Sequence, residues 1–229
     1  MNDDRRVRET PADYRVATYD DVLAAPPHLV AELIDGRLHT QPRPRPRHAY
    51  AIGRLFSRLD GVSGGGFDGG GGNSDDDGGG GEDWFFLIEP ELHLGREVLV
   101  PDIAGWRGGR APIDPDAVGV ATPPDWICEV LSPSTRKLDE TRKADIYAAH
   151  GVEHLWLIDP EPRLMTAFER DGARWVRLGA WSDADEAAAP PFDALKLSLA
   201  ALWMAPAPET DVARQEQDQE QDQRRAGPE

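Results

Sequence analysis

The chain predicts a mixed α+β domain, and three observations lead there. Short runs rich in β-branched and aromatic residues alternate with two segments of helical periodicity. Turn dipeptides punctuate the runs at close intervals. No apolar stretch approaches the roughly 20 residues of a membrane helix, and the first residues lack a signal-peptide core, so a soluble cytoplasmic protein is expected. With 229 residues the chain suits one buried core, expected over residues 14–205. The N-terminal 1–13 is expected to be flexible.

Thr18-Tyr-Asp-Asp21 reads as a capping box that opens a brief helix, which Pro26-Pro27 must end. A hairpin follows, because residues 32–35 and 37–40 flank Asp35-Gly36, the dipeptide best suited to a type I′ turn with two positive φ angles. Residues 41–47, Gln-Pro-Arg-Pro-Arg-Pro-Arg, lose a backbone donor at every second position and read as a rigid basic connector. Its arginines could touch phosphates, but a solvated linker is the plainer reading. From His48 to Leu59 the residues Ala51, Ile52, Leu55, Phe56 and Leu59 recur at helical spacing.

Residues 61–81 hold twelve glycines among Asp, Ser and Asn, a composition that buries too little surface to offset the entropy of ordering. The stretch 61–83 is therefore expected to be a disordered insertion. Its calcium-repeat-like and GxGxxG-like letters lack the strand–helix context that a binding loop needs. Residues 84–94, 98–106 and 125–131 read as strands, and 139–150 as a helix stopped by Gly151. Strands are expected again at 154–159, 164–169 and 175–178. Residues 206–229 read as a disordered polar tail.

The net charge of −17 argues against a stable binder of long duplex DNA, which needs a strong basic stripe. Its distribution weakens that objection. Residues 60–83 carry seven acids and no base, and 209–229 seven acids and three bases, so eleven of the seventeen excess charges lie in the expected disordered segments. The lone Cys128 excludes an internal disulfide and a thiolate zinc site, and suits packing. Ser132, Ser134 and Thr135 lack a nucleophile-elbow pattern.

The chemistry lies in the carboxylates. Alternation along residues 125–131 turns Asp125, Ile127, Glu129 and Leu131 to one face, so Glu129 sits between aliphatic neighbours. A carboxylate there must be protonated, paired with a cation or bound to a metal. Asp102 closes the run Val98-Leu99-Val100 after Pro101 and could join Glu129 if their strands are neighbours. Two carboxylates, a carbonyl and waters suit Mg²⁺ or Mn²⁺. Lys143, in helical register with Ile146, Tyr147 and His150, faces inward and could orient or activate a water; Lys137 in the preceding loop is the rival.

Pro101-Asp102, Glu129-Val-Leu-Ser-Pro-Ser-Thr135, Asp139, Lys143, Tyr147, Gly151-Val152 and Trp156-Leu-Ile-Asp-Pro160 resemble the Uma-two family, as do Glu32-Leu-Ile-Asp-Gly36 and His48. The resemblance covers about residues 14–200. It implies a restriction-endonuclease-like fold, a mixed central sheet flanked by helices, of the PD-(D/E)xK nuclease superfamily. It further implies metal ligands at Asp102 and Glu129 and catalytic roles for Lys143 and Glu32; His48, which opens a helix, is a candidate phosphate contact, with a cap or surface group as the plainer reading. One departure is visible: where the superfamily places a lysine two residues after the acid, this chain has Leu131, so Lys143 must reach the site from the helix. The expected activity is metal-dependent hydrolysis of phosphodiester bonds in DNA, with a homodimer as a plausible assembly. A catalytically silent nuclease-fold module, binding DNA or protein, is the alternative.

Overall fold

A computed structural model of the chain describes residues 15–60, 84–108, 114 and 116–205. The insertion at 61–83, the terminus 1–13 and the tail 206–229 lie outside these residues.

Helix α1 (Tyr19–Leu23) starts at Thr18, whose amide donates to Asp21 Oδ2 at 2.8 Å, as the capping box requires. Strands β1 (Leu29–Ile34) and β2 (Arg37–Pro42) form the expected hairpin, with φ of 52° at Asp35 and 69° at Gly36. The basic connector is shorter than the sequence predicts. Pro42 ends edge strand β2, and Pro46 opens helix α2 (Pro46–Asp60), where its missing N–H has no cost.

The two long strands expected at 84–94 and 98–106 each break into two. Glu89-Pro90 separates β3 (Trp84–Ile88) from β4 (Leu92–Leu94), and Pro101-Asp102 separates β5 (Glu97–Leu99) from β6 (Ile103–Arg107). Proline cannot donate to a ladder, so at both points the chain leaves one sheet and enters another. The Glu89 amide donates to the Asp102 carbonyl at 3.0 Å and ties the two corners together.

Strand β7 (Trp126–Val130) is followed by a helix that runs from residue 136 through a π-helical stretch, Leu138–Lys143, into α3 (Ala144–Ala149). Gly151, with φ of 88°, terminates it as predicted. Strands β8 (His154–Asp159), β9 (Leu164–Asp171) and β10 (Arg174–Ser182) complete the main sheet. Its order is β10-β9-β8-β7-β6-β3, with β7 and β8 parallel and every other neighbour antiparallel. A separate antiparallel sheet runs β2-β1-β5-β4, and the short pair β11 (Glu186–Ala187) and β12 (Leu197–Ser198) lies near the C-terminal end. The fold is thus the expected mixed α+β class, although the hairpin belongs to a second sheet.

Alternation along β7 splits the core. Trp126, Cys128 and Val130 pack with Ala51, Ile52, Leu55 and Leu59 of α2 and with Phe192, Leu199 and Leu202. Trp126, Trp156 and Phe192 meet edge to face with ring centroids 5.2–5.5 Å apart, the arrangement their quadrupoles favour. Ile127 faces the other way, toward Ala144, Ile146 and Tyr147 of α3 and Leu99 of β5. Glu129, two residues along, follows Ile127 onto the helix side.

Candidate active site

Glu129 occupies a central strand between β6 and β8, and 2% of its surface is exposed. Lys143, 1% exposed, reaches it from the π-helical stretch with Nζ 2.9 Å from Glu129 Oε1. The same ammonium lies 3.0 Å from Glu32 Oε1 of β1 and 3.3 Å from Asp139 Oδ1, one turn earlier on its own helix. Three of its neighbours are therefore acids. π-Helical turns are uncommon and concentrate at functional sites. Lys137, the rival lysine, is exposed.

Burial opposes the Lys143 charge, but attraction to Glu129 and Glu32 overrides it and holds the pKa well above the usual lysine value. The group is a fixed ammonium at neutral pH. Burial also pushes Glu129 far above the carboxylate range, against the pull of Lys143 and with the help of Asp139 and Asp102. Asp139 is raised for the same first reason. Tyr147 donates its hydroxyl to Glu129 Oε1 at 2.6 Å, and its own pKa is driven up by burial and then by that carboxylate.

Asp102 sits at the corner between β5 and β6. The β6–β7 register pairs Ile103 with Cys128, and continuing it by one residue sets Asp102 opposite Glu129, so their strands are the neighbours the sequence required. Its carboxylate turns along the sheet, where Oδ2 accepts the Val130 amide at 2.6 Å and faces His48 Nε2 at 3.4 Å. Burial lowers the His48 pKa, but Asp102 and the Val130 backbone outweigh that, and the net shift is upward. His48 Nδ1 is buried with no hydrogen-bond partner among the described residues.

Asp102, Glu129, Asp139, Lys143 and His48 line one cleft of about 910 Å³. Glu32 is not among its lining residues. It lies behind Lys143, where Oε1 also accepts the Val100 amide at 2.9 Å. The structure thus gathers Glu32, Glu129 and Lys143 into one cluster and brings Asp102 and His48 to the same cleft as a second, adjoining pair.

Asp139 and Tyr147 are the residues that sequence reasoning undervalued. Each stands four positions from Lys143, and side chains at that spacing share a helical face, so placing Lys143 inward already places them beside it. Tyr147, which shares the inward register of Lys143, is buried in the core, and its hydroxyl also bonds the central carboxylate.

Asp102, Glu129 and Asp139 line the cleft beside the Lys143 ammonium, with Glu32 behind it, and hard oxygen donors of this kind suit Mg²⁺ or Mn²⁺. Among the described residues no three His, Cys, Asp or Glu side chains already cluster in a geometry that would hold an ion.

The sequence profile of the Uma2 family, described as "Putative restriction endonuclease", matches residues 16–201. The fold is shared with the crystal structure of a "putative nuclease belonging to DUF820" from Anabaena variabilis: the TM-score is 0.63 and the identity 22%, over 81% of this chain and 97% of that one. A comparison with curated protein sequences found no match. No helix among the described residues is long and apolar enough to cross a membrane. Since the profile runs from before α1 to beyond β12 and takes in every residue of the cluster, the chain belongs to the Uma2 family.

Proposed function

We propose that the protein is a metal-dependent endonuclease that hydrolyses phosphodiester bonds in DNA. The observation that carries this reading is the buried Lys143 ammonium set among Glu129, Glu32 and Asp139 at the floor of a cleft that Asp102 also lines. A lysine and several acids buried together are costly unless used, and perturbed groups in a cleft mark functional sites. Family membership supports the same chemistry.

Asp102 and Glu129 would hold Mg²⁺ or Mn²⁺, which when bound neutralises phosphate charge and lowers the pKa of a coordinated water. The protein's own groups have separate tasks. Lys143, held as an ammonium, donates hydrogen bonds and cannot accept a proton, so it orients a water and stabilises the charge that develops on the phosphate oxygens. Glu32 and Asp139 keep Nζ at the floor of the cleft, and Tyr147 fixes Glu129 through Oε1. His48 adds a donor beside Asp102 and can contact a phosphate that enters the cleft. Two copies of the chain, working as a homodimer, would address both strands of a duplex.

The test is cleavage of single-stranded, duplex and branched DNA and of RNA by the purified chain with Mg²⁺ or Mn²⁺, alongside Mn²⁺ titration by calorimetry. Asp102→Ala and Glu129→Ala should lose both cation binding and cleavage. Cleavage that survives in both variants overturns the assignment. Complete engagement of Lys143 by three acids also favours a second reading, a silent module in which the cluster only holds the fold. Such a module keeps its nucleic-acid affinity in both variants and cuts nothing.

A further inference from the structure

The cleft floor is acidic, and a polyanion can reach it only if cations stand at the rim. Four arginines do. Arg43, Arg45, Arg47 and Arg163 line the same cleft as Asp102 and Glu129, and all four are exposed. Among the described residues Arg45, Arg47 and Arg163 have no carboxylate partner, and Arg43 has only Glu89 at 3.4 Å.

Their backbone is set up to keep them there. Prolines 42, 44 and 46 alternate with the arginines and fix φ, so little freedom is lost when the segment engages a ligand. Arg43 and Arg45 stand in the extended stretch between β2 and α2, where two residues span about 6 Å, and Arg47 follows in the first turn of α2, so the three side chains can make successive contacts rather than one. Arg163 comes from a different element, the turn between β8 and β9, and has φ of 54°. That left-handed conformation costs a non-glycine residue about 1–2 kcal/mol, and strain of this kind persists where the surroundings enforce it, commonly at functional sites. Here the Arg163 carbonyl accepts the Asp183 amide at 2.9 Å. Guanidinium groups suit phosphate better than ammonium groups do, because their donors form a planar fork.

We propose that the alternating Pro-Arg segment 42–47, together with Arg163, is a seat for the phosphate backbone of a nucleic-acid strand, holding it across the cleft above Asp102 and Glu129. This rests on the nuclease reading and adds the surface that binds the substrate. The seat reconciles a protein of net charge −17 with a polyanionic substrate, since attraction is confined to one rim.

The decisive experiment is fluorescence anisotropy of a labelled duplex and a labelled single strand against a KCl series, in EDTA so that nothing is cut. The Arg43→Gln/Arg45→Gln/Arg47→Gln variant should lower the slope of log Kd against log salt by about 2–3, from about 0.7–0.9 per phosphate contact. Arg163→Gln should lower it by about 1. Both should melt at the temperature of the unaltered chain, since the altered side chains are exposed. As a control for charge alone, Arg174→Gln/Arg177→Gln, exposed on β10, should leave the slope as it was. An unchanged slope in the triple variant, or a loss per arginine in the β10 control equal to that in the triple variant, overturns the seat while leaving the nuclease reading intact. No binding of either probe by the unaltered chain overturns the seat, while cleavage with Mn²⁺ decides the nuclease reading separately.

Discussion

Replacing Lys143 with methionine keeps an unbranched stem out to the ε position and removes the ammonium. Its Nζ is 2.9, 3.0 and 3.3 Å from three carboxylate oxygens, and at an effective dielectric near 20 each such pair is worth about 5 kcal/mol. The gross attraction is not the loss, because the variant no longer desolvates an ammonium and its carboxylates can take up protons. What remains is the cost of breaking a buried ion cluster, about 3–5 kcal/mol, a large part of a domain's stability of about 5–15 kcal/mol. That cost should depend on pH. Glu129 and Asp139 already have raised pKa values in the folded chain, and without Lys143 they rise further. The folded variant then binds more protons than the unfolded chain, so its stability falls as pH rises above the ordinary carboxylate range, by about 1.4 kcal/mol per pH unit for each extra proton. Urea unfolding followed by tryptophan fluorescence at pH 5 and pH 8 measures both. A deficit below about 1 kcal/mol at pH 8, or one equal at the two pH values, would refute the view that Lys143 neutralises this cluster.

Tyr147→Phe removes the hydroxyl that Glu129 accepts and should lower stability by about 1.5–3 kcal/mol in the same urea assay; under the proposed function, cleavage should fall alongside. His48→Gln tests the Asp102 contact. Because the folded pKa of His48 is raised, its stabilisation is present in full below the unfolded value and is lost as pH climbs through the folded one. The variant should therefore be weaker than the parent near pH 6, by about 1 kcal/mol, and nearly equal to it at pH 9. Gly36→Ala should destabilise the β1–β2 turn by about 1–2 kcal/mol or more, since φ is 69° and a Cβ would stand 2.7 Å from Val16 Cγ1; thermal melting reads this directly.

Much of this architecture was legible because local signals and tertiary demands agree. Asp35-Gly36 has the only turn geometry that its two positive φ angles allow, and the alternation in residues 125–131 assigned Trp126, Cys128 and Val130 to one core and Ile127 and Glu129 to the other. The sequence also placed Lys143 inward from its helical register. What it could not show was where a run of strand-forming residues changes sheet. Residues 84–94 look continuous because both halves are apolar, and only the hydrogen-bonding partners reveal that Glu89-Pro90 is a corner. Asp139 was named only as part of the family resemblance; its role beside Lys143 shows once that helical face is found buried against Glu129.

The corner at Pro101-Asp102 limits how this chain can change in length. A strand has a period of two, so one residue gained or lost between Leu99 and Ile103 would either pull Asp102 away from the Val130 amide or turn Ile103 out of its core. Such an indel would damage stability and the cleft together, with no compensating shift available because β5 and β6 are anchored in different sheets. Length changes in this lineage should therefore be absent between Leu99 and Ile103, where the register of two sheets and the position of Asp102 are set together.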